Sequence, residues 1–295
     1  MLTVAVSSQK GGSGKRAIGW RWILVWVVVL PAVVLVSAAV VWFSSRLSDP
    51  QLQRWANLAQ VFQGVVGLLT LASILWAVIR YRRAAEDQRK AKHFQAWQAI
   101  SDAQGKSGSG GRCTALEDLH NDGVSLVGVE LTGGLRGGAY LAELQLPGAD
   151  LSLANLQGAS LWKANLRRAR LYRAALDSAN LREADLREAS LVEARLSGAD
   201  LTRADLRKAS LANAQIQSAI LSDANLEGVD LANAKLQSAR LMGTNLREAT
   251  LTGAYLAGAD LSTALGLTRD QICLAKDWSG AKLPEALREL ERPTA

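Results

Sequence analysis

Residues 184–208 read ADLRE ASLVE ARLSG ADLTR ADLRK. The same five-residue phase runs without a gap from Ala149 to Thr263, which makes 23 units. The third position is Leu in every unit except that of Ile216, and the first is Ala except at Val229 and Thr244. The register extends backward through Leu146, Leu141, Leu131 and Leu126, with Arg136 once in a leucine's place, so that counting from Val124 gives 28 units. Ala, Leu, Arg and Glu favour helix, yet a step of five residues drifts by ~140° around an α-helix. On a straight strand an odd period sends alternate leucines to opposite faces. A chain that turns a corner at every unit keeps them together. Four units then close a square coil with every Leu and Ala directed at its axis. One coil alone does not bury enough to order its own backbone, so such units come stacked and need covered ends.

The pattern resembles that of the pentapeptide-repeat family, A(D/N)LXX. The resemblance implies an all-β fold, a right-handed quadrilateral β-helix of 20 residues per coil. Twenty-eight units make about seven coils, a solenoid of roughly 34 Å at the inter-strand spacing of ~4.8 Å. The C-terminal segment 264–295 is expected to cap it, with helices near 268–276 and 284–291; Thr268 and Gln271 have capping-box spacing. Residues 80–123 supply a juxtamembrane helix, a linker and an N-terminal cap around 113–123.

Positions 20 apart lie above one another in this lattice. One column then holds Arg167, Arg187, Arg207, Glu227 and Arg247; beside it run Arg168, Glu188, Lys208, Gly228 and Glu248. These arginines, with Trp162 as an aromatic candidate, form a possible interaction surface for an unknown protein partner. A solvated face laced with weak ion pairs explains the same residues. Some members of the family resembled here mimic DNA and bind gyrase through a strongly acidic surface. The 23 units carry 14 basic and 13 acidic residues, a balance that disfavours both mimicry and direct nucleic-acid binding.

The remaining sequence points to a lipid bilayer. Overall the chain has 295 residues, is 49% hydrophobic and has a mean hydropathy of +0.06. Six of its nine Trp fall between Trp20 and Trp76. Residues 22–43 contain no charge, and as a helix they cover ~33 Å, enough for a hydrocarbon core of ~30 Å. Residues 56–79 form a second uncharged run after a short external loop, 44–55. A signal peptide would explain the first run but not the second, so an N-terminal two-helix transmembrane hairpin is expected. The net charge of +7 gathers on its flanks, with +4 in 1–21 and +4 in 80–92. The positive-inside rule places both termini and the repeat domain in the cytoplasm, at the inner membrane if the cell is bacterial. Two lone cysteines, Cys113 and Cys273, suit a reducing compartment.

Residues 2–15, LTVAVSSQKGGSGK, separately resemble the opening of the ParA/MinD group of partitioning ATPases. That resemblance implies phosphate contacts from Lys10 and Lys15, with Gly11, Gly12 and Gly14 admitting backbone N–H groups. It then stops: Arg16 stands where Ser or Thr would hold magnesium, and no further strands of a nucleotide fold follow. The segment 1–21 therefore reads as a fragment, a fusion scar or a misplaced start. His93 and His120 are the only histidines, and no column gathers acids, histidines or a nucleophile. No enzyme, cofactor or metal is expected.

Overall fold

The computed structural model describes residues 35–36, 38–39, 42–43, 46, 50–102, 111–132 and 138–289. It divides the chain into two compact units, Met1–Gln88 and Arg89–Ala295. The first expected span, 22–43, falls outside the described residues except for six helical positions. The phosphate-loop-like residues Lys10, Gly11, Gly12, Gly14 and Lys15 lie wholly outside them.

Helix α1, Pro50–Asp102, contains the second apolar run. It is long and apolar enough to cross a membrane, with a stretch of mean hydropathy 2.0 that is not buried within the protein. Trp55, Leu58, Phe62, Leu68, Ile74 and Trp76 are all exposed. The helix runs on past residue 79 to Asp102, and no Pro or Gly occurs between Ala77 and Asp102 to stop it.

The repeats form the coil. Parallel pairing links residues 20 apart without interruption from Tyr140↔Ser160 to Asn245↔Leu265. Each contact is a single-residue bridge, and no longer strand occurs among the described residues. Every first- and third-position side chain from Ala149 to Leu261 is buried. The two exceptions to alanine fit the same lattice: Val229 is buried, and the buried Thr244 hydroxyl donates to the Leu241 carbonyl at 2.5 Å.

One unit shows where the backbone hydrogen bonds go. Ala184 N–H closes the preceding turn on Leu181 O at 3.1 Å. Asp185 N–H donates to Ala164 O in the coil below at 2.9 Å, while Leu186 and Glu188 N–H donate to Asp205 O and Arg207 O in the coil above at 2.8 and 2.9 Å. Arg187 N–H is left over, and the Asp185 carboxylate accepts it at 3.2 Å. This local bond is the physical reason for Asp or Asn in the second position. All eleven such residues between Asp150 and Asp260 make it.

The corner requires a second property. Every fifth residue from Glu143 to Gly258 has φ near +60°, the mark of a type II turn. Seventeen of these are not glycine, and none is β-branched. The first β-branched residue at this position, Thr263, is where the left-handed series ends.

The lattice departs from expectation at both ends. Glu130 pairs with Asn155, an offset of 25, whereas Tyr140 pairs with Ser160. The offset therefore shortens by five across 133–137, which hold Arg136 and lie outside the described residues. At Gly138, where the described residues resume, an added Cβ would collide with the Gly158 backbone.

At the other end, the expected helices shrink to α3, Arg269–Cys273, and one 3-10 turn, Glu285–Leu287. The chain between them rejoins the lattice, with Tyr255↔Asp277 and Asp260↔Lys282. Trp278 and Leu283 are buried where earlier coils carry leucine. The pentads KDWSG and AKLPE at 276–285 carried this signal. The Thr268/Gln271 capping box is formed, and Gln271 Nε2 also donates to Leu246 O at 3.0 Å and Ala249 O at 2.8 Å, covering carbonyls of the last full coil.

At the first coil, α2, Arg112–Asn121, buries Ala115, Leu116 and Leu119 against the same core. The Glu117 carboxylate accepts the Gln145 N–H at 2.8 Å, standing in for a coil that is not there. Ala96 and Ile100 of α1 join this cluster, and Lys92 and His93 reach Asp118 and Asp122 at 3.3 and 3.0 Å.

Candidate interaction surface

The fourth-position arginines stand beside a stack of second-position rungs, Asn165↔Asp185↔Asp205↔Asn225↔Asn245. Because those rungs tie their side chains to the next turn, they fix where the arginines leave the backbone. Arg167, Arg187 and Arg207 come together with Glu188 and Lys208 around a shallow groove of about 200 Å³. Arg247 lies two coils above Arg207, past Glu227.

These charges are largely spent on one another. Arg167 and Arg168 both hold Glu188, at 2.8 and 2.7 Å. Those two hydrogen bonds pull the Glu188 carboxyl down to about 2. Arg187 bonds Asp185 and reaches Asp205 at 3.7 Å, and Arg207 bonds Asp205 at 2.7 Å. The Arg187 bond holds Asp185 below the usual carboxylate range, and the same contact raises Arg187 itself. Arg247 is the least committed: among the described residues its side chain meets only Glu248, at 3.7 Å, and both are about 70% exposed.

Trp162 belongs to a different side of the coil from this column. It is half-buried, and the Lys163 ammonium sits 4.4 Å from its ring centroid. The structure therefore does not bring the candidate aromatic together with the arginines.

Other faces carry ladders that a five-residue count alone does not reveal. Arg173 reaches Glu193 at 2.6 Å, Arg195 reaches Asp177 at 2.5 Å, and Lys163 reaches Glu183 at 3.6 Å. Each joins opposite charges 18–20 positions apart, and reading the sequence at that longer interval shows them. Among the described residues no group of His, Cys, Asp and Glu is arranged to hold a metal ion.

Comparison with known proteins identifies the repeat. The family model for pentapeptide repeats matches residues 137–171, 169–207, 209–247 and 245–265. A pentapeptide repeat protein from Nostoc PCC 7120, alr5209, is 34% identical, with 37% of this chain and 84% of that one covered and a TM-score of 0.21. Rfr23, a pentapeptide repeat protein from the cyanobacterium Cyanothece 51142, is 28% identical over 51% of this chain and 96% of its own, with a TM-score of 0.34. QnrB1, a plasmid-mediated fluoroquinolone resistance protein, is 24% identical over 55% of this chain and 92% of its own, with a TM-score of 0.29. No curated protein sequence matches the chain.

Proposed function

Since this chain belongs to the pentapeptide repeat family, whose solenoid is a right-handed β-helix, we propose that it is a membrane-anchored, non-enzymatic scaffold that presents the coil's exterior to a protein partner. The observation that carries this reading is α1. Its apolar half offers exposed Leu, Val, Ile and Phe to its surroundings, with Trp55 near one end and Trp76 and Tyr81 at the other. Such a surface is stable in lipid, and amphipathic rings suit the headgroup level. The Arg80 guanidinium lies 5.1 Å from the Trp76 ring, a pairing that keeps the cation at that level. In this reading residues 22–43 form a first span, and the basic flanks put both termini and the repeats on the cytoplasmic side.

The coil interior is filled with Ala and Leu, so any recognition belongs to its faces. Affinity capture from detergent extract compares the intact protein with a version lacking 124–263. The intact protein is expected to retain partners that the shortened one loses; identical partner sets reject the docking role.

Two narrower readings are less well supported. A topoisomerase-directed DNA mimic needs a strongly acidic face, whereas the arginine column balances its own charge; a supercoiling assay with no inhibition or protection eliminates it. A nucleotide-binding remnant at Lys10 and Lys15 requires that the intact protein bind ATP.

A further inference from the structure

At each corner of the coil, the fifth residue of one unit and the second residue of the next flank a buried first-position alanine. One corner differs from the rest. Its two sides are Asn213 and Asn233 facing Gln215 and Lys235, with Arg195 at the near end. Pairing stacks Arg195, Gln215 and Lys235 on successive coils. Together they bound an open trough of about 660 Å³ that runs along the coil axis.

The chemistry of this trough is one-sided. Its one lining acid, Glu193, is held by Arg173 at 2.6 Å, while Arg195 gives Nη2 to Asp177 outside the lining and keeps its other guanidinium nitrogens. From Asn213 upward its lining carries no carboxylate. Among the described residues Lys235 has no ion-pair partner, and the side chains of Asn213, Gln215 and Asn233 make no hydrogen bond. Elsewhere on the coil the second-position Asp and Asn are tied to their own turns. Here three carboxamides and an ammonium keep their full capacity in one groove.

We infer that this trough binds an acidic, polyproline-II-like peptide segment of a protein partner. The inference rests on the scaffold role proposed above and supplies the partner's chemistry. Arg195 and Lys235 are two coils apart, ~9.6 Å at the inter-strand spacing. A polyproline II helix repeats every three residues with a rise of ~3.1 Å each, so acids at i and i+3 share a side at ~9.3 Å. That conformation leaves its backbone N–H and C=O groups unpaired, and carboxamides supply both donors and acceptors for them.

The test uses the intact protein in detergent at low ionic strength and a labelled peptide, Glu-Pro-Pro-Glu-Pro-Pro-Glu, read by fluorescence polarisation. The acidic peptide binds, and its Gln counterpart binds at least about tenfold more weakly. Lys235→Glu weakens the acidic peptide by about tenfold or more, while Arg247→Glu on the arginine column leaves it unchanged. An unchanged melting temperature shows that Lys235→Glu folds. No binding, equal binding of the Gln peptide, indifference to Lys235→Glu, equal damage from Arg247→Glu, or tighter binding of duplex DNA would each overturn the assignment. Partner capture that survives Lys235→Glu rejects the trough and leaves the scaffold role standing.

Discussion

Individual positions within a five-residue unit answer to different physics. Leu206 is fully buried in a lattice of its own kind, so Leu206→Ala is expected to cost about 2–5 kcal/mol in denaturant unfolding, through lost transfer energy and an unrelieved cavity. A cost near zero would mean the leucines do not form the core. At the corner, Ser218 has φ of 57° and is exposed. Ser218→Val forces a β-branched side chain into that conformation and is expected to cost about 1 kcal/mol or more, whereas Ser218→Gly is neutral or stabilising. The inward leucines are legible in sequence because period and burial coincide. The corner constraint is written only as an avoidance of Val, Ile and Thr at every fifth place, which no single unit displays. The second-position rule is visible as a preference for Asp and Asn, but its cause, the orphan N–H two residues on, emerges only when the other four N–H groups have been assigned.

Among elements, the ends of the coil and its ion-pair ladders depend on neighbours far apart in sequence. Arg136 interrupts the leucine register in plain view, but the change of offset from 25 to 20 is seen only in the pairing of Glu130 with Asn155 and of Tyr140 with Ser160. The C-terminal pentads escape a strict five-residue count because α3 shifts the offset to 22. Gln271 closes its own helix and two coil carbonyls at once. Gln271→Ala is expected to cost about 1–3 kcal/mol, since three partners lose a hydrogen bond together. Thermal unfolding that matches the parent contradicts that role. Three carboxylates are held low in the folded protein, Glu188 near 2 by Arg167 and Arg168, and Asp150 and Asp260 chiefly by the hydroxyls of Ser152 and Ser262. In the unfolded chain these groups take up protons near pH 4. Between about pH 4 and 2 the unfolded state therefore binds more protons, and acidification favours unfolding. The melting temperature is expected to hold steady from pH 7 to about 5 and to fall below about 4. A profile flat down to pH 2 would show that the bonds to Glu188, Asp150 and Asp260 contribute nothing.

At the scale of the molecule, two kinds of surface sit on one chain: an apolar helix that suits lipid and a polar solenoid that suits water. If α1 is a membrane anchor, the protein stays with the membrane under alkaline extraction; release into the supernatant contradicts the anchor. The repeat domain rests on a more basic geometric claim, that residues 20 apart are neighbours. Paired cysteines test it directly. In a background with Cys113 and Cys273 replaced by serine, Ser190→Cys with Ser210→Cys places two thiols on adjacent rungs. The rung spacing of ~4.8 Å lies within the Cα separation a disulfide allows. Mild oxidation of the intact protein is predicted to join 190 to 210 within one chain, while the pair 190 and 205 stays reduced. A bond at 190–205, or none at 190–210, contradicts the square coil and every face described on it.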